Sequence, residues 1–205
     1  MIAIIDYGMG NLRSVQKALE KVGAQTQITH SAADILKAEK VVLPGVGAMA
    51  PAMQKLQELG LVDAIRKTIK DGKPFLGICL GLQLLFEKSS EGGHVQGLGI
   101  LQGSVQRFNP SGQNPTKVPH IGWNQIKIQD AGQAMFKGVK TGENVYFCHS
   151  YYVLPTDNSI AAAMTDYWIY DYVSAIISGN VWGVQFHPEK SQTVGLQILK
   201  NFVTL

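Results

Sequence analysis

The sequence predicts an α/β fold in which helices cover both faces of a mixed, mostly parallel sheet. In the first half, short apolar segments of strand length alternate with segments whose apolar residues recur at helical spacing. From about Gly97 onward the pattern becomes rich in strands, which predicts antiparallel pairing at one edge of the sheet. A chain of 205 residues with this pattern and no linker is expected to form a single domain over residues 1–205.

The first half is predicted to consist of strand–helix units, because each apolar strand is followed by a capped, amphipathic segment. The predicted strands are residues 2–5, 25–29, 41–43 and 75–78. The predicted helices are residues 12–22 capped by Asn11 and ended by Gly23, 31–38 capped by Ser31, 49–59, 61–70, and a helix after Cys79 that contains Leu82, Leu85 and Phe86. This alternation of strands and helices implies a parallel sheet with helices on both faces.

The second half is predicted to add strands and one closing helix. The predicted strands are residues 104–108, 123–128, 145–149, 160–164, 172–177 and 181–186. The last two are joined by Ser178-Gly179-Asn180, a sequence typical of a tight hairpin turn. Residues 193–203 carry Val194, Ile198 and Phe202 at helical spacing, which predicts the final helix.

Composition and charge exclude several classes of protein. The net charge of +3 is small and no basic stripe is present, which argues against nucleic-acid binding. The first residues include Asp6 and no basic segment, so they are not typical of a signal peptide, and no apolar run approaches the roughly 20 residues of a membrane helix. The only cysteines are Cys79 and Cys148, which favours a reducing compartment. We therefore expect a cytoplasmic protein.

One cysteine lies between two glycines where a predicted strand meets a predicted helix. The segment Gly77-Ile78-Cys79-Leu80-Gly81 has the pattern Gly-x-Cys-x-Gly, the thiol counterpart of the Gly-x-Ser-x-Gly nucleophile elbow. In such an elbow, glycines allow other backbone to pack closely against a strained turn. A helix N-terminus behind the sulfur favours the thiolate. The pattern indicates a nucleophile at Cys79, and a buried structural cysteine is the alternative.

His187 is the histidine best placed to act as a base for that thiol. It follows the predicted strand 181–186, and Pro188 favours extended backbone at His187. In extended backbone, residues i and i+2 point to the same side, so Glu189 can reach the imidazole and hold its tautomer. Cys79, His187 and Glu189 are thus a candidate catalytic triad. A surface histidine beside a solvated glutamate is the alternative.

A glycine-rich loop after the third predicted strand is a candidate oxyanion hole. Backbone N–H groups of Pro44-Gly45-Val46-Gly47 could face a developing negative charge, with the N–H of Leu80 as a second donor. An ordinary turn between strand and helix is the alternative for this loop.

The sequence predicts no metal and no other cofactor. The remaining histidines have no ligand partners at zinc spacing; they are His30, His94, His120 and His149. The segment Gly8-Met9-Gly10-Asn11 lacks the third glycine of a dinucleotide-binding fingerprint, because Arg13 occupies its place.

Several segments together carry a resemblance to a known family. They are Asp6-Tyr7-Gly8-Met9-Gly10-Asn11-Leu12, Pro44-Gly45-Val46-Gly47-Ala48, Val118-Pro119-His120-Ile121-Gly122-Trp123-Asn124, Tyr146-Phe147-Cys148-His149-Ser150-Tyr151-Tyr152 and His187-Pro188-Glu189-Lys190-Ser191. With the cysteine elbow, they resemble the class I (triad) glutamine amidotransferases over essentially the whole chain. Within that class they are similar to the glutaminase subunits of imidazole glycerol phosphate synthases. The resemblance implies a three-layer, flavodoxin-like fold. Cys148 stands where an aliphatic residue would serve equally well, so we expect it in the core.

The resemblance also implies an activity. Cys79 would attack the side-chain amide of glutamine to give a glutamyl thioester and ammonia, with His187 as base and then acid and Glu189 orienting His187. The residues that the resemblance places near glutamine or its oxyanion are Gly45, Val46, Gly47, Leu80, Gln83, Ser150 and Tyr151.

A protein partner follows from the same resemblance. Ammonia would pass through a tunnel to a (βα)8-barrel cyclase subunit, which makes imidazole glycerol phosphate and aminoimidazole carboxamide ribonucleotide in histidine biosynthesis. The positions expected near that subunit are Asn11, Trp123, Tyr146 and Lys190, and a purely structural role is the alternative for each. The resemblance further implies that hydrolysis depends on the partner, and a rotated Gly45–Val46 peptide is a candidate switch.

Three other kinds of protein are alternatives to this interpretation. One is another triad glutaminase, such as the subunit that serves pyridoxal phosphate synthesis or a fused synthase domain, against which the segments 120–124 and 149–152 argue. The second is a non-catalytic binding or scaffold protein on the same fold, which the intact set of Cys79, His187 and Glu189 disfavours. The third is a related hydrolase of the cysteine-elbow type, a protease or deglycase, which would not need a histidine and a glutamate in the pattern His-x-Glu at the end of a strand.

Overall fold

The computed structural model describes residues 1–110 and 117–205. The strands are β1 (Ile2–Ile5), β2 (Thr26–Thr29), β3 (Lys40–Gly45), β4 (Phe75–Cys79), β5 (Phe86–Ser89), β6 (Val95–Gln96), β7 (Leu101–Arg107), β8 (His120–Gln125), β9 (Lys127–Ile128), β10 (Asn144–His149), β11 (Tyr151–Pro155), β12 (Ala161–Tyr167), β13 (Tyr170–Ser178) and β14 (Val181–Val184). The helices are α1 (Leu12–Lys21), α2 (Ala32–Lys37), α3 (Met49–Glu58), α4 (Val62–Lys70), α5 (Leu80–Leu84) and α6 (Gln192–Val203), and short 3-10 turns span Asp130–Gly132, Asn158–Ile160 and Pro188–Lys190.

The main sheet confirms the predicted α/β class. Among the described residues it has 12 strands, in the path β2-β1-β3-β4-β14-β13-β11-β7-β5-β6, with β12 attached beside β13 and β9 beside β12. The strands from β2 to β14 along this path are parallel, whereas β14, β13, β11 and β7 pair antiparallel with one another. The parallel part thus comes from the first half of the chain and is completed by β14 from the second.

Helices cover the sheet on both sides because neighbouring strand residues point to opposite faces. On β1, Ala3 and Ile5 pack into a cluster with α2, α3 and α4. Ile2 and Ile4 pack into a second cluster with α1 and α6. All four side chains are buried, so the strand is apolar throughout, as expected for a sheet covered on both faces.

Of the two predicted helix caps, the one at Ser31 is confirmed and the one at Asn11 is not. Ser31 precedes α2, and its hydroxyl accepts a hydrogen bond from the backbone N–H of Asp34 at 3.3 Å. Asn11 precedes α1, but its side chain makes no capping hydrogen bond. The first helix therefore begins where predicted, without the stabilising contact that the asparagine was expected to make.

The helix after Cys79 is shorter than predicted, and the placement of Phe86 in it is wrong. Helix α5 has only five residues, and Phe86 begins β5. Phe86 pairs with Leu101, and the Leu85 carbonyl accepts hydrogen bonds from Ile100 and Leu101, each at 2.9 Å. Pairing with a strand distant in sequence therefore decides the conformation of an apolar run that also fits helical spacing.

The second half forms two sheets where the sequence predicted one. Among residues 1–110 and 117–205, β8 and β10 pair with each other and with no further strand, as a two-stranded antiparallel sheet. The predicted strand 123–128 is divided at Ile126 into β8 and β9, and β9 joins the main sheet beside β12. A strand that was not predicted, β11, follows β10 after the single residue Ser150 and pairs with β7.

Cys148 is exposed, so its predicted place in the core is wrong. In β10, Val145, Phe147 and His149 face the interior, and the alternation of a strand turns Cys148 outward. Its partner in β8, Ile121, is also exposed.

Within the described residues, none of the helices combines the length and the hydrophobicity that crossing a membrane would require.

Candidate active site

The candidate site lies where three neighbouring parallel strands end. β3, β4 and β14 are adjacent, and β4 ends at Cys79 directly opposite Gly45 of β3. His187 follows β14 by three positions (187 − 184). The carboxyl ends of parallel strands meet at one edge of a sheet, and there they surround a cavity of about 310 Å³.

Cys79 occupies a strained turn that its glycine neighbours permit. Its φ of 55° and ψ of −109° lie in a region that residues with a Cβ rarely adopt. A Cβ at Gly77 would lie 2.7 Å from the Gly81 carbonyl oxygen, and a Cβ at Gly81 would collide with the Leu43 carbonyl oxygen. Gly77 and Gly81 are thus both required because other backbone approaches them closely, as the elbow pattern predicted. Cys79 itself lines the cavity.

His187 and Glu189 form a buried pair within one short turn. His187 Nδ1 lies 2.9 Å from Glu189 Oε1, and both side chains are buried. Ser191 fixes the turn, because its hydroxyl donates to the His187 carbonyl at 2.7 Å and accepts from the Tyr146 N–H at 2.9 Å. Pro188–Lys190 forms a 3-10 turn, so the two side chains meet through a tight bend and not through the fully extended backbone that we expected.

The charge balance at His187 favours its protonated form. Burial by itself disfavours the imidazolium, but hydrogen bonds and charge attraction to Cys79 and Glu189 outweigh burial and raise the pKa of His187 to about 10. The other carboxylate oxygen, Glu189 Oε2, has no hydrogen-bond partner among the described residues. The pair can therefore take the thiol proton and hold it on His187 until a leaving group requires it.

Most residues expected to hold glutamine or its oxyanion line the same cavity. They are Val46, Gly47, Leu80, Gln83, Ser150 and Tyr151. Gln83 donates its side-chain amide to the Tyr151 carbonyl at 3.0 Å, which ties α5 to β11 across the site. Gly47 has a φ of 91°, so this loop turns through the left-handed region that favours glycine. Gly45 does not line the cavity, because it is buried in β3 and packs against Tyr7 and Leu80.

The comparisons with known proteins agree with this geometry. The family described as "Glutamine amidotransferase class-I" matches residues 3–205. The chain belongs to this family. "Imidazole glycerol phosphate synthase subunit HisH" of Syntrophotalea carbinolica is 55% identical over 205 residues, covering 98% of each chain. The protein of the same name in Aquifex aeolicus is 54% identical over 200 residues, covering 97% of this chain and 94% of the relative.

Solved structures show the same fold at much lower identity. The chain aligns with "Crystal structure of glutamine amidotransferase" at a TM-score of 0.76 and 17% identity, covering 100% of both chains. "Structure of PurLQS from Thermotoga maritima" aligns at a TM-score of 0.73 and 18% identity, covering 99% of this chain and 97% of the other. The three-layer, flavodoxin-like fold of class I glutamine amidotransferases is therefore confirmed.

The structure adds residues to the cavity of this amidotransferase that sequence reasoning did not assign to it. They are Glu91, Pro119, Cys148, His149 and, from the predicted partner surface, Lys190. Glu91 accepts a hydrogen bond from the Met49 N–H at 2.7 Å, which holds the start of α3 beside the cavity. The Cys148 carbonyl oxygen lies 4.0 Å from the Cys79 sulfur. No pattern in the sequence marks Glu91, because it lies in a loop between two short strands.

Two histidines that sequence reasoning left without a role form a buried network behind the site. Tyr172 OH lies 3.1 Å from His120 Nδ1 and 3.1 Å from His149 Nε2. His149 Nδ1 lies 2.7 Å from the Tyr151 carbonyl oxygen, so that nitrogen must carry the proton. Burial lowers the pKa of both histidines and keeps them neutral, so His149 Nε2 accepts from the Tyr172 hydroxyl, whose oxygen in turn accepts from His120. Among the described residues, no group of three His, Cys, Asp or Glu side chains could hold a metal ion.

Burial of these histidines predicts a loss of stability in mild acid. Desolvation lowers the pKa of His120 to about 4 and, as the main cause, that of His149 to about 3. Both pKa values in the folded protein lie below the value near 6.5 in the unfolded chain. The contribution of the two neutral histidines to the free energy of unfolding is therefore complete above pH 6.5, and it is lost as the pH falls toward pH 4 for His120 and pH 3 for His149.

We expect His120→Phe to reduce the acid sensitivity. The His120 ring stacks between Phe147 and Tyr167, at centroid distances of 4.7 and 3.8 Å, so phenylalanine keeps the packing and removes the titrating group. Between pH 6.5 and pH 5 the free energy of unfolding should fall by about 1 kcal/mol less in the variant than in the wild type. Urea unfolding at the two pH values measures this difference, and equal falls in both proteins would contradict the prediction.

Three of the four residues expected at a partner surface lie together. Trp123 and Tyr146 pack edge to face with ring centroids 6.0 Å apart, and Lys190 Nζ lies 5.5 Å from the centre of the Tyr146 ring. Asn11 is exposed directly before α1, and α1 packs against the turn that carries Lys190.

Proposed function

We propose that residues 1–205 form one glutamine amidotransferase domain, which hydrolyses glutamine to glutamate and ammonia and delivers the ammonia to a (βα)8-barrel cyclase subunit in the cytoplasm. The observation that carries this proposal is the strained Cys79 elbow, which shares one cavity with the buried His187–Glu189 pair. The relatives from Syntrophotalea carbinolica and Aquifex aeolicus, named as subunits of imidazole glycerol phosphate synthase, support the partner. The cyclase would use the ammonia to make imidazole glycerol phosphate and aminoimidazole carboxamide ribonucleotide in histidine biosynthesis.

Catalysis begins when the Cys79 thiolate attacks the side-chain amide carbon of glutamine. The proton from the thiol resides on His187, whose raised pKa suits it to this role. As the tetrahedral intermediate collapses, the C–N bond breaks and His187 gives its proton to the departing nitrogen, which leaves as ammonia. The product on the protein is a glutamyl thioester at Cys79.

A water molecule then completes the reaction. His187, now neutral, takes a proton from the water as it attacks the thioester carbonyl carbon. The C–S bond breaks, glutamate leaves and the Cys79 thiolate is restored beside a protonated His187. Glu189 holds His187 Nδ1 throughout, so that the other ring nitrogen faces the reacting atoms.

Negative charge on the substrate oxygen is stabilised by backbone N–H groups. Leu80 is the first residue of α5, so its N–H has no partner within the helix and is free for the oxyanion. The second donor comes from the Val46–Gly47 part of the loop, which lines the same cavity. Gly45 supports this loop from below, since its backbone packs against Tyr7 and Leu80.

The surface formed by Trp123, Tyr146 and Lys190 is proposed to contact the cyclase, with Asn11 at its margin. The Trp123 side chain is 49% exposed, and Ile121 beside it in β8 is 59% exposed. Exposed aromatic side chains such as Trp123 are enriched at the core of protein interfaces, whereas a lysine such as Lys190 is more typical of the polar rim. Lys190 also lines the cavity, so this surface is continuous with the proposed active site.

We expect Trp123→Ala to weaken binding of the cyclase by about 10- to 100-fold, because an exposed tryptophan packed on a second aromatic ring is a typical interface anchor. Trp168→Ala is the matched control: Trp168 is 57% exposed but lies between β12 and β13, outside the surface defined here. Titration calorimetry of the two subunits measures both affinities. Equal effects of the two substitutions on the affinity would contradict the proposal that Trp123 lies in the interface with the cyclase.

The test of the proposed function is glutamine hydrolysis by the purified chain with and without the cyclase subunit and its nucleotide ligand. We expect little glutamate from the chain alone and strong activation in the complex. Activation by the barrel partner of pyridoxal phosphate synthesis, and none by the cyclase, would assign the chain to the alternative glutaminase. No hydrolysis with any partner would favour a non-catalytic scaffold.

A further inference from the structure

A fully buried glutamine, Gln185, touches the candidate nucleophile. Its side-chain nitrogen Nε2 lies 3.6 Å from the Cys79 sulfur, and its oxygen Oε1 lies 3.0 Å from Gln83 Nε2. The residue is 0% exposed, and its backbone N–H donates to the Ser174 carbonyl at 2.9 Å, which extends the β13–β14 pairing by one position. Gln185 therefore bridges the Cys79 thiol and the side chain of Gln83, and it does so from the position directly after β14 in the middle of the sheet.

The orientation of the Gln185 amide follows from its neighbours. The Tyr151 carbonyl oxygen can only accept hydrogen bonds, so the Gln83 group facing it must be the amide nitrogen. That nitrogen also faces Gln185, and the atom of Gln185 that it meets must be the oxygen. The Gln185 nitrogen is thereby turned toward the Cys79 sulfur.

A backbone carbonyl that accepts two hydrogen bonds anchors this arrangement. The Tyr151 oxygen accepts from Gln83 at 3.0 Å and from His149 Nδ1 at 2.7 Å. His149 is itself fixed by Tyr172. The donor aimed at the sulfur is thus held at the end of a chain of satisfied, buried hydrogen bonds, and it cannot rotate away without leaving buried polar groups unpaired.

An N–H donor directed at a cysteine sulfur favours the thiolate over the thiol, because a hydrogen bond to a charged acceptor is stronger than one to a neutral acceptor. We propose that Gln185 is a positioning residue that holds the Cys79 sulfur in its reactive direction and stabilises its thiolate, while its oxygen fixes Gln83 against the substrate. This inference rests on the proposed function, in which Cys79 is the nucleophile and Gln83 contacts glutamine.

Two substitutions distinguish the role of the Gln185 side-chain oxygen from that of its N–H group. Gln185→Glu keeps an oxygen for Gln83 but loses the N–H toward the sulfur. Gln185→Met is neutral and of similar length, and it loses both. In complex with the cyclase, we expect Gln185→Glu to lower kcat about tenfold or more with a KM for glutamine within about threefold of the wild type, and Gln185→Met to lower kcat and raise KM.

The decisive readout is the pH profile of alkylation of Cys79 by iodoacetamide in the full-length chain, resolved by mass spectrometry. In both variants its midpoint should rise by about one pH unit or more relative to the wild type. Cys148 is exposed and serves as an internal reference whose profile should not move. The other titratable groups facing the sulfur or its cavity are present in every variant: Tyr7, Glu91, Cys148, His149, Tyr151, Tyr172, His187, Glu189 and Lys190.

A control variant removes a buried hydrogen bond elsewhere in the same sheet. Thr165 donates to Ser174 at 2.8 Å, and Thr165→Val should leave the alkylation midpoint of Cys79 unchanged. An unchanged midpoint in folded Gln185→Met would overturn the inference, as would a shift of equal size in Thr165→Val. If Gln185→Glu does not fold, Gln185→Met provides the same test. Alkylation of Cys79 requires no glutamine. If the chain failed to hydrolyse glutamine, the proposed function would be contradicted, but the pH profile of alkylation would still show whether Gln185 stabilises the thiolate.

Discussion

Cys79→Ala should abolish glutamine-dependent synthesis by the complex with the cyclase, by at least about a thousandfold, while synthesis from added ammonium salts persists. Among the described residues that line the cavity, Cys79 carries the thiol that interacts directly with His187 of the His187–Glu189 pair, so it is placed to form the covalent intermediate. Ammonium salts bypass that step, since they supply the product of hydrolysis directly. Steady-state rates with each nitrogen source measure the two activities.

The nitrogen-source comparison separates chemistry from folding. Alanine has a Cβ like cysteine, so it meets the same backbone constraint at φ 55° and should preserve the turn. Loss of both activities would mean that Cys79 supports the fold or the assembly. An electrophilic analogue of glutamine should label Cys79 in the wild type, and labelling of the exposed Cys148 would instead reverse the assignment of the two thiols.

Glu189→Gln is expected to lower kcat for glutamine hydrolysis by about 10²- to 10⁴-fold without unfolding the chain. The amide keeps the size of the carboxylate, but it removes the charge that holds the His187 proton and can present the wrong donor to Nδ1. Because burial alone lowers the pKa of His187, loss of this charge should move its pKa down from about 10. Initial rates across a pH series, with circular dichroism as a check of folding, measure the effect.

An exposed glutamate provides the matched control for Glu189. Glu58→Gln removes an equivalent charge from a surface pair with Lys55, and it should change neither the rate nor its pH dependence. Unchanged turnover in Glu189→Gln would take Glu189 out of the proposed triad. In that case the buried carboxylate of Glu189 would have only a structural role, in stabilising the turn of residues 188–190.

The parallel half of the fold could be predicted from the sequence because its signals are local. Apolar runs such as Ile2–Ile5, a helix cap at Ser31 and glycines after strand ends each specify their own segment. Phe86 is different, since it fits both helical spacing and a buried strand, and only its pairing with Leu101 decides between them. A pattern confined to one segment contains no information about that partner.

The two sheets of the second half could not be separated for a similar reason. Ser150 alone carries the chain from β10, in the small sheet, to β11, in the large one. Apolar and aromatic residues continue through both strands, so periodicity gives no boundary there. The same ambiguity explains the error at Cys148, because its outward direction follows from its pairing with Ile121 and not from its own polarity.

The sequence indicated the proposed triad but missed the residue beside the sulfur, although a signal was present. Gln185 precedes His187 by two positions, and extended backbone places such residues on the same side. The expectation of extended backbone that linked His187 with Glu189 in the sequence thus also covered Gln185, although in the structure His187 and Glu189 meet through a 3-10 turn. A lone glutamine has no charge and no characteristic spacing, so its hydrogen bond to the thiol became evident only from the geometry.

The backbone at Cys79 has a consequence for how this position changes over evolutionary time. A left-handed φ at a residue with a Cβ costs on the order of 1–3 kcal/mol, and glycine would relieve that cost. Selection for stability alone would therefore replace the cysteine. A lineage that no longer needed the thiol should drift toward glycine at this site. The backbone turn would then be kept after the activity was lost, with a third glycine between Gly77 and Gly81.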